Sequence, residues 1–277
     1  MAALGCAIGC GNGRGNGTPT QPEGGARLRV ASLSPALSDT LIALDCGAQL
    51  AARTPWCPVD PEIPVVGTLL DIDAEQLTAI DPELILVQPP MQGAPEELAA
   101  LARQQGWRVA EIRIDSLDDV GASFASVACA IDPGGNSGCT ARAEALAASL
   151  RAACLPIDGA ASLGRVALLG SVSDAGALAF GRGSFPGDAA VSMGVTLADA
   201  GAAYAQRSRE ELALLAPDLI VVIGGPEERA RWMDAPAGEL APGSRLLVVE
   251  EPRLLQPGAS LVQGLATLRK ALEGARQ

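Results

Sequence analysis

Glu75-Gln-Leu-Thr-Ala-Ile-Asp-Pro-Glu-Leu-Ile-Leu-Val87 recurs in outline as Glu210-Glu-Leu-Ala-Leu-Leu-Ala-Pro-Asp-Leu-Ile-Val-Val222. In each copy a glutamate leads a short helical pattern, a proline (Pro82 or Pro217) ends it, and an apolar run follows. Proline cannot continue a helix, and a run that is apolar on both faces is typical of a buried parallel strand. Two copies so far apart predict two lobes of similar build. The same order of elements is common in α/β proteins generally, so the repeat alone leaves that alternative open.

Composition narrows the class of protein. The chain has 277 residues, of which 48% are apolar, and this is enough for a large core shared by two lobes. The net charge is −12 and Lys270 is the single lysine, which argues against binding to nucleic acid or to an anionic membrane surface. The chain has no histidine, so the commonest transition-metal ligand and the usual general base are missing. We therefore expect neither a metal site nor a catalytic residue.

The N-terminus resembles an export segment. Residues 1–10 are small and apolar, as at the end of a secretion signal whose basic start is missing, and Ala7-Ile8-Gly9-Cys10 resembles a bacterial lipobox. Cys10 is then the expected lipidation site, with Cys6 as a weaker candidate. Residues 11–26 are rich in Gly, Asn and Pro, as in a flexible tether. A disordered N-terminus with chance cysteines remains the alternative.

Strand and helix patterns alternate through the rest of the chain with short connections, which predicts α/β lobes with parallel sheets. We expect a signal remnant and tether in residues 1–26, a first lobe in 27–116, a helical connector in 117–163 and a second lobe in 164–277. The connector carries two helical patterns, Leu117–Ala130 and Thr140–Cys154, on either side of a turn. Cys129 and Cys139 flank this turn, and their spacing permits a disulfide across it.

The order of motifs over nearly the whole chain resembles the substrate-binding proteins of cobalamin and ferric-siderophore ABC importers. Val30–Leu44 resembles the opening strand and helix of that family, and Trp56-Cys57-Pro58 resembles its Cys-Asp-Tyr-Pro loop. Phe180-Gly-Arg-Gly-Ser-Phe185 resembles its Gly-x-Gly-Ser-Phe segment. The resemblance implies a class III periplasmic-binding-protein fold, in which two Rossmann-like lobes with central parallel sheets are joined by a single long helix.

The resemblance also assigns a role to the repeat. In the family, one glutamate on each lobe docks into arginine pockets of the paired permease subunits, and Glu75 and Glu210 occupy those positions here. Two equivalent acidic contacts suit a two-fold symmetric transporter, because Arg–carboxylate pairs are directional. The alternative is that both are ordinary acids favoured by the helix dipole.

By family position, the ligand site is expected in the cleft between the lobes, on loops that follow strands. The residues that the resemblance assigns to it are Trp56, Cys57, Pro58, Gln88, Phe180, Phe185, Tyr204, Gly224, Glu251 and Arg253. Trp56 and the phenylalanines offer flat apolar surface to a macrocycle, and Glu251 or Arg253 offers polar contacts to its rim. For each aromatic residue, core packing is the alternative.

These features predict a lipid-anchored, monomeric solute-binding protein at the periplasmic or extracytoplasmic face. It binds a corrinoid, needs no cofactor and delivers its ligand to an ABC permease dimer with its ATPase. Aromatic residues are only 3% of the chain, and Glu250–Leu255 replaces an aromatic-rich family stretch. A ferric siderophore, haem or another metal chelate therefore remains the alternative ligand. An enzyme and a receptor that no longer docks remain rival classes.

Overall fold

The computed structural model describes residues 28–135, 137–173, 176–227 and 241–276. The expected lipidation site at Cys10 and the tether before residue 27 lie outside these residues. The elements of the first lobe are β1 (Val30–Ser32), α1 (Pro35–Ala43), β2 (Leu50–Arg53), β3 (Gly67–Thr68), β4 (Asp71–Ile72), α2 (Ala74–Ile80), β5 (Leu84–Val87), α3 (Glu96–Gln105) and β6 (Arg108–Glu111). The connector consists of α4 (Leu117–Ile131) and α5 (Cys139–Ala153). The elements of the second lobe are β7 (Arg165–Ser173), β8 (Gly176–Phe180), α6 (Phe185–Ser192), β9 (Thr196–Leu197), β10 (Tyr204–Arg207), α7 (Arg209–Leu215), β11 (Leu219–Gly224), β12 (Arg245–Glu250) and α8 (Leu261–Gly274).

Each lobe is built around one sheet. The first sheet is parallel throughout, in the order β2-β1-β5-β6. The second has the order β10-β8-β7-β11-β12, with β9 added beside β7. β7, β11 and β12 are parallel, whereas β8 and β10 are antiparallel. The prediction of two α/β lobes with parallel central strands is confirmed, and the second lobe adds an antiparallel edge.

The sequence repeat forms the same local structure in both lobes. Helices α2 and α7 have seven residues each, and a side chain caps the start of each, from Asp73 and Ser208 respectively. They end at Asp81 (φ 50°) and Ala216 (φ 44°), which adopt the left-handed conformation directly before the repeat's proline. Every residue of the strands that follow, β5 and β11, is buried. The predicted order of helix, proline and buried strand is therefore confirmed in both copies.

The connector is a pair of packed helices. The first turn of α4 lies beside the last turn of α5, since Leu117 and Cys154 line one surface groove, so the two helices are antiparallel. α4 contacts α1 of the first lobe and α6 of the second, whereas α5 packs on α4 and on α8. α4 is therefore the helix that joins the two lobes. Within the described residues, no helix is both long enough and apolar enough to cross a bilayer.

The expected disulfide between Cys129 and Cys139 is wrong. Cys129 is exposed, whereas Cys139 is buried, with its Sγ 2.9 Å from the Sγ of Cys46. The reason lies in the helical periodicity of α4, which buries Ala128 and Ile131 and leaves Cys129 on the solvent side. Proximity in sequence across the turn therefore does not bring the two sulfurs together.

Candidate ligand-binding site

An open groove of about 480 Å³ lies at the carboxyl ends of three strands of the first lobe. Leu33, Thr54 and Gln88, the residues that follow β1, β2 and β5, all line it. The other lining residues are Pro35, Trp56, Thr68, Leu69, Leu70, Pro89 and Pro90. Among the described residues, none that lines this groove carries a charge, so the groove offers apolar surface and a few hydrogen-bonding groups.

Trp56 is the largest side chain of the groove and is 69% exposed. The neighbouring Cys57 is buried and anchors the loop. Its sulfur accepts a hydrogen bond from Ser38 Oγ at 3.0 Å and lies 3.1 Å from Thr54 Oγ1. Of the expected loop residues, Trp56 and the exposed Pro58 are accessible to a ligand, whereas Cys57 holds the loop in place.

Gln88 supplies an oriented amide group at the edge of the groove. Ser34 Oγ donates a hydrogen bond to Gln88 Oε1 at 3.1 Å, and Gln88 Nε2 donates one to the carbonyl oxygen of Ile114 at 3.4 Å. These two bonds fix the side chain and leave one N–H and one lone pair for a ligand.

Three aromatic residues of the second lobe form a cluster. Tyr204 lies opposite Phe180 in the β10–β8 pair, with their ring centroids 6.0 Å apart in an edge-to-face arrangement. Its ring also lies 6.5 Å from that of Phe185. Both phenylalanines are buried, whereas Tyr204 is 45% exposed. Tyr204 is therefore the residue of this cluster that can touch a ligand, and the phenylalanines support it.

The pKa of Tyr204 reflects its burial and two nearby carboxylates. Burial raises the pKa of Tyr204, and the negative charges of Asp188 and Asp115 act in the same direction, against a backbone hydrogen bond from Phe185. Asp115 lies between β6 and α4, on the first-lobe side of the connector. The phenol is therefore neutral at pH 7.

A direct contact between the lobes involves Asp39, which sequence reasoning missed. The backbone N–H of Ser260, ahead of α8, donates a hydrogen bond to Asp39 Oδ2 of α1 at 2.7 Å. Gly258 packs against the same helix, and a Cβ built on it would lie 2.9 Å from the carbonyl oxygen of Ala36. In the sequence, Asp39 stands out as the one charged residue of α1. This does not identify its partner, which lies 221 positions away.

Glu251 and Arg253 contact each other. Arg253 donates to both carboxylate oxygens of Glu251 at 2.6 Å, and Thr267 Oγ1 donates to one of them at 3.2 Å. These hydrogen bonds, led by those from Arg253, lower the pKa of Glu251. Glu251 is buried in this arrangement, and its backbone N–H donates to the carbonyl oxygen of the buried Gly224. Glu251 and Gly224 are therefore buried, and Arg253 is the partly accessible member of this group.

Glu75 and Glu210 are both exposed and lie in the first turn of α2 and α7. A helix that leads back into a parallel strand runs antiparallel to it, so each glutamate lies on the side of its lobe where the strands end. Hydrogen bonds from its own backbone N–H and from Ser208 lower the pKa of Glu210, which keeps that carboxylate ionised at neutral pH.

The structure thus combines two α/β lobes joined by helices, an uncharged groove in the first lobe and an aromatic cluster in the second. Residues 30–234 match the sequence profile of the Periplasmic binding protein family, and the chain belongs to that family. The expected class III fold is confirmed, and the protein is a periplasmic binding protein of an ABC importer rather than an enzyme.

The chain is similar to solved structures over nearly its whole length. The haem-binding protein RhuT of Roseiflexus sp. RS-1 is 24% identical, with 91% of this chain and 100% of that chain covered and a TM-score of 0.66. A periplasmic haem-binding protein of Pseudomonas aeruginosa is also 24% identical, with 89% and 92% covered and a TM-score of 0.66. The vitamin B12-binding protein BtuF of Vibrio cholerae is 18% identical, with 90% and 98% covered and a TM-score of 0.69. At these identities the likeness shows the fold alone. No curated protein matched the chain.

Proposed function

We propose that the protein binds a corrinoid between its lobes and delivers it to an ABC permease. The observation that carries this proposal is the uncharged groove of the first lobe, with Trp56 as its widest surface. A corrin ring has broad apolar faces and a rim of neutral amide side chains. Those faces suit Trp56, and the amides suit the oriented side chain of Gln88.

The absence of charge from this groove weighs against an anionic ligand. Catecholate siderophores carry several negative charges, and no described residue that lines the groove is cationic. Arg253 is the cation that the resemblance assigns to the site, but its guanidinium is already bonded to both oxygens of Glu251. A siderophore would have to break that pair, which costs hydrogen bonds to a buried carboxylate.

Haem is the second candidate, because Tyr204 offers an oxygen ligand. Haem iron needs an axial ligand, and tyrosinate serves as one in some haem proteins. Tyr204 is accessible, and Arg182, on the loop after β8, is exposed and able to face a propionate. Haem-binding proteins are among the solved structures that share this fold. Against haem stands the raised pKa of Tyr204, because iron must displace its proton.

The test is a calorimetric titration of the soluble chain, lacking residues 1–25, with cobinamide, cyanocobalamin and haemin. The proposal expects saturable one-to-one binding of both corrinoids and weaker binding of haemin. Binding of haemin alone, with an absorption band that is lost in Tyr204→Phe, would replace the corrinoid by haem. If none of the three binds, the ligand is not a tetrapyrrole, and ferric chelates are the next ligands to test.

Delivery rests on Glu75 and Glu210, which we propose as the two contacts to the permease subunits. The two glutamates occupy equivalent positions in the repeat and face solvent on the same side of their lobes.

We also propose that Cys10 is lipidated and anchors a monomer to the membrane. Metabolic labelling with a tagged fatty acid tests the anchor, because a Cys10→Ala variant should lose the label.

A further inference from the structure

Two buried cysteines that are far apart in sequence meet on the side of the protein formed by the connector. Cys46 and Cys139 are 93 positions apart, and their sulfurs lie 2.9 Å from each other. Cys139 is 1% exposed and Cys46 is 5% exposed, and both belong to the main core of the protein. The sulfurs are therefore already within reach of a disulfide, whose bond length is about 2.05 Å.

The backbone on both sides fixes this arrangement. The N–H of Cys46 donates to the carbonyl oxygen of Leu41 and that of Asp45 to Ile42, with Asp45 in the left-handed conformation (φ 62°). This is a Schellman motif, which turns the residue after Asp45 inward at the end of α1. Cys139 is the first residue of α5 and is equally constrained.

A second contact joins the same two segments. Arg142 of α5 donates to Asp45 Oδ2 at 3.2 Å, one residue before Cys46. The first lobe and the connector are thus held together at this point without a covalent bond, and both sulfurs are enclosed between them. The periplasm is an oxidising compartment in which such pairs form disulfides.

We propose that Cys46 and Cys139 form a disulfide that ties the end of α1 to the start of α5. The oxidant is a disulfide of the periplasm, carried by a thiol oxidoreductase or supplied as oxidised glutathione. One thiolate attacks it to form a mixed disulfide and releases one thiol, and the second thiolate then displaces the other. The two cysteines lose two electrons and two protons, and the oxidant is reduced to two thiols.

The timing of this reaction follows from the environment of the pair. Burial, followed by the hydrogen bond with Cys139, raises the pKa of Cys46 to about 12, so this cysteine is a neutral thiol in the folded protein. Only the thiolate attacks a disulfide, so the bond forms during folding, before the segment is enclosed. Refolding with oxidised glutathione should form it quickly, whereas oxidation of the folded, reduced protein should be slow.

The test uses the full chain extracted from the cell envelope with detergent. Free thiols are alkylated in denaturant, the protein is digested without reductant, and the peptides are identified by mass spectrometry. The expected result is one linked pair of peptides that contain Cys46 and Cys139, with Cys57, Cys129 and Cys154 alkylated. Alkylation of both Cys46 and Cys139, or a link from either one to another cysteine, overturns the proposal.

Thermal unfolding supplies a second readout. A bond that closes a loop of this length should raise Tm by about 10 °C, so reductant should lower the Tm of the wild type by that amount. Reductant should not change the Tm of the Cys139→Ser variant. The control is Cys154→Ser, which changes a buried cysteine outside the pair, and reductant should lower its Tm as it lowers that of the wild type. A wild-type Tm that reductant does not change contradicts the proposal.

Discussion

At the scale of single residues, the site depends on which aromatic side chains remain exposed. Two tryptophans of the first lobe illustrate this: Trp107 is buried and donates from Nε1 to Asp81 Oδ1 at 2.8 Å, whereas Trp56 is 69% exposed. The sequence could not separate them, because each lies in a connection next to a strand. The buried contacts of Cys57, which hold the Trp56 loop, decide the difference.

Replacement of Trp56 by alanine should lower the affinity for cobinamide by about tenfold or more, because an exposed aromatic anchor at a contact surface commonly contributes this much. Calorimetric titration measures the change. Leu214→Ala, which removes another exposed apolar side chain, from α7, is the control and should leave the affinity unchanged. Equal affinities in Trp56→Ala and the wild type would place the ligand elsewhere.

Tyr204→Phe separates the two ligand classes. The change keeps the ring contacts with Phe180 and Phe185 but removes the phenol oxygen. Corrinoid affinity should change by less than about threefold, whereas any haem binding through iron should be lost together with its absorption band. A large loss of corrinoid affinity would mean that the hydroxyl group itself binds the ligand.

At the scale of elements, the repeat was predictable and the antiparallel edge was not. Proline and a fully apolar run identify β5 and β11 without any tertiary information. β8 is a short apolar run made mostly of small residues, β10 has two polar residues among its four, and neither contains the β-branched residues that are typical of strands. β8 folds back on β7, and β10 then pairs with β8 from beyond α6 and β9, so the edge depends on pairing that the local pattern does not show.

The turn between β12 and α8 depends on the pair of Glu251 and Arg253, so Glu251→Gln should lower the free energy of unfolding at pH 7 by about 1–3 kcal/mol. The partial exposure of Arg253 keeps the loss at the lower end of that range. Urea unfolding measures it, and Glu144→Gln, an exposed change on α5, is the control. Equal stability of Glu251→Gln and the wild type would show that the pair adds nothing net.

The same pair predicts an acid dependence. Because hydrogen bonds from Arg253 lower the pKa of Glu251, the folded state binds fewer protons here than the unfolded state does. The stabilisation is complete above the unfolded pKa, near 4.5, and is lost as the pH falls through the lower folded pKa. Stability of the wild type should therefore fall more steeply below pH 4.5 than that of Glu251→Gln. Parallel acid profiles would contradict this assignment.

At the scale of the whole molecule, the two lobes are held by α4 and by the contact of α1 with the segment before α8. Trp56, Gln88 and Tyr204, which family motifs assign to the ligand site, all keep accessible surface, and their role in binding stays a prediction. They could not reveal the contact of Asp39 with Ser260, because it depends on how the lobes meet. A helical connector with this second contact restricts hinge motion, so we expect only a small closure on ligand binding.

Gly258→Ala should destabilise the protein by about 1–3 kcal/mol, because the added methyl group would overlap Asp39 and the backbone of α1. Thermal and urea unfolding measure this effect. The matched control is Gly274→Ala in α8, where a Cβ would meet no atom within 4 Å. If both variants unfold alike, the contact between the lobes is not tightly packed.

Charge reversal at both docking positions, Glu75→Arg with Glu210→Arg, should abolish uptake of the ligand in cells and leave its binding in solution unchanged. Both side chains are exposed and neither lines the groove that contains Trp56 and Gln88, so the fold and the groove should be unaffected. Glu144→Arg on the connector is the control for a general effect of charge. Normal uptake by the double variant would remove the docking role.

The central claim is that a corrinoid lies between the groove of the first lobe and Tyr204. A crystal structure of the protein grown with cobinamide tests this most directly. The account predicts the corrin face against Trp56, an amide of the rim bonded to Gln88, and Tyr204 on the opposite side. A corrinoid bound elsewhere, for instance in the surface groove between α4 and α5, or crystals that take up none, would contradict it.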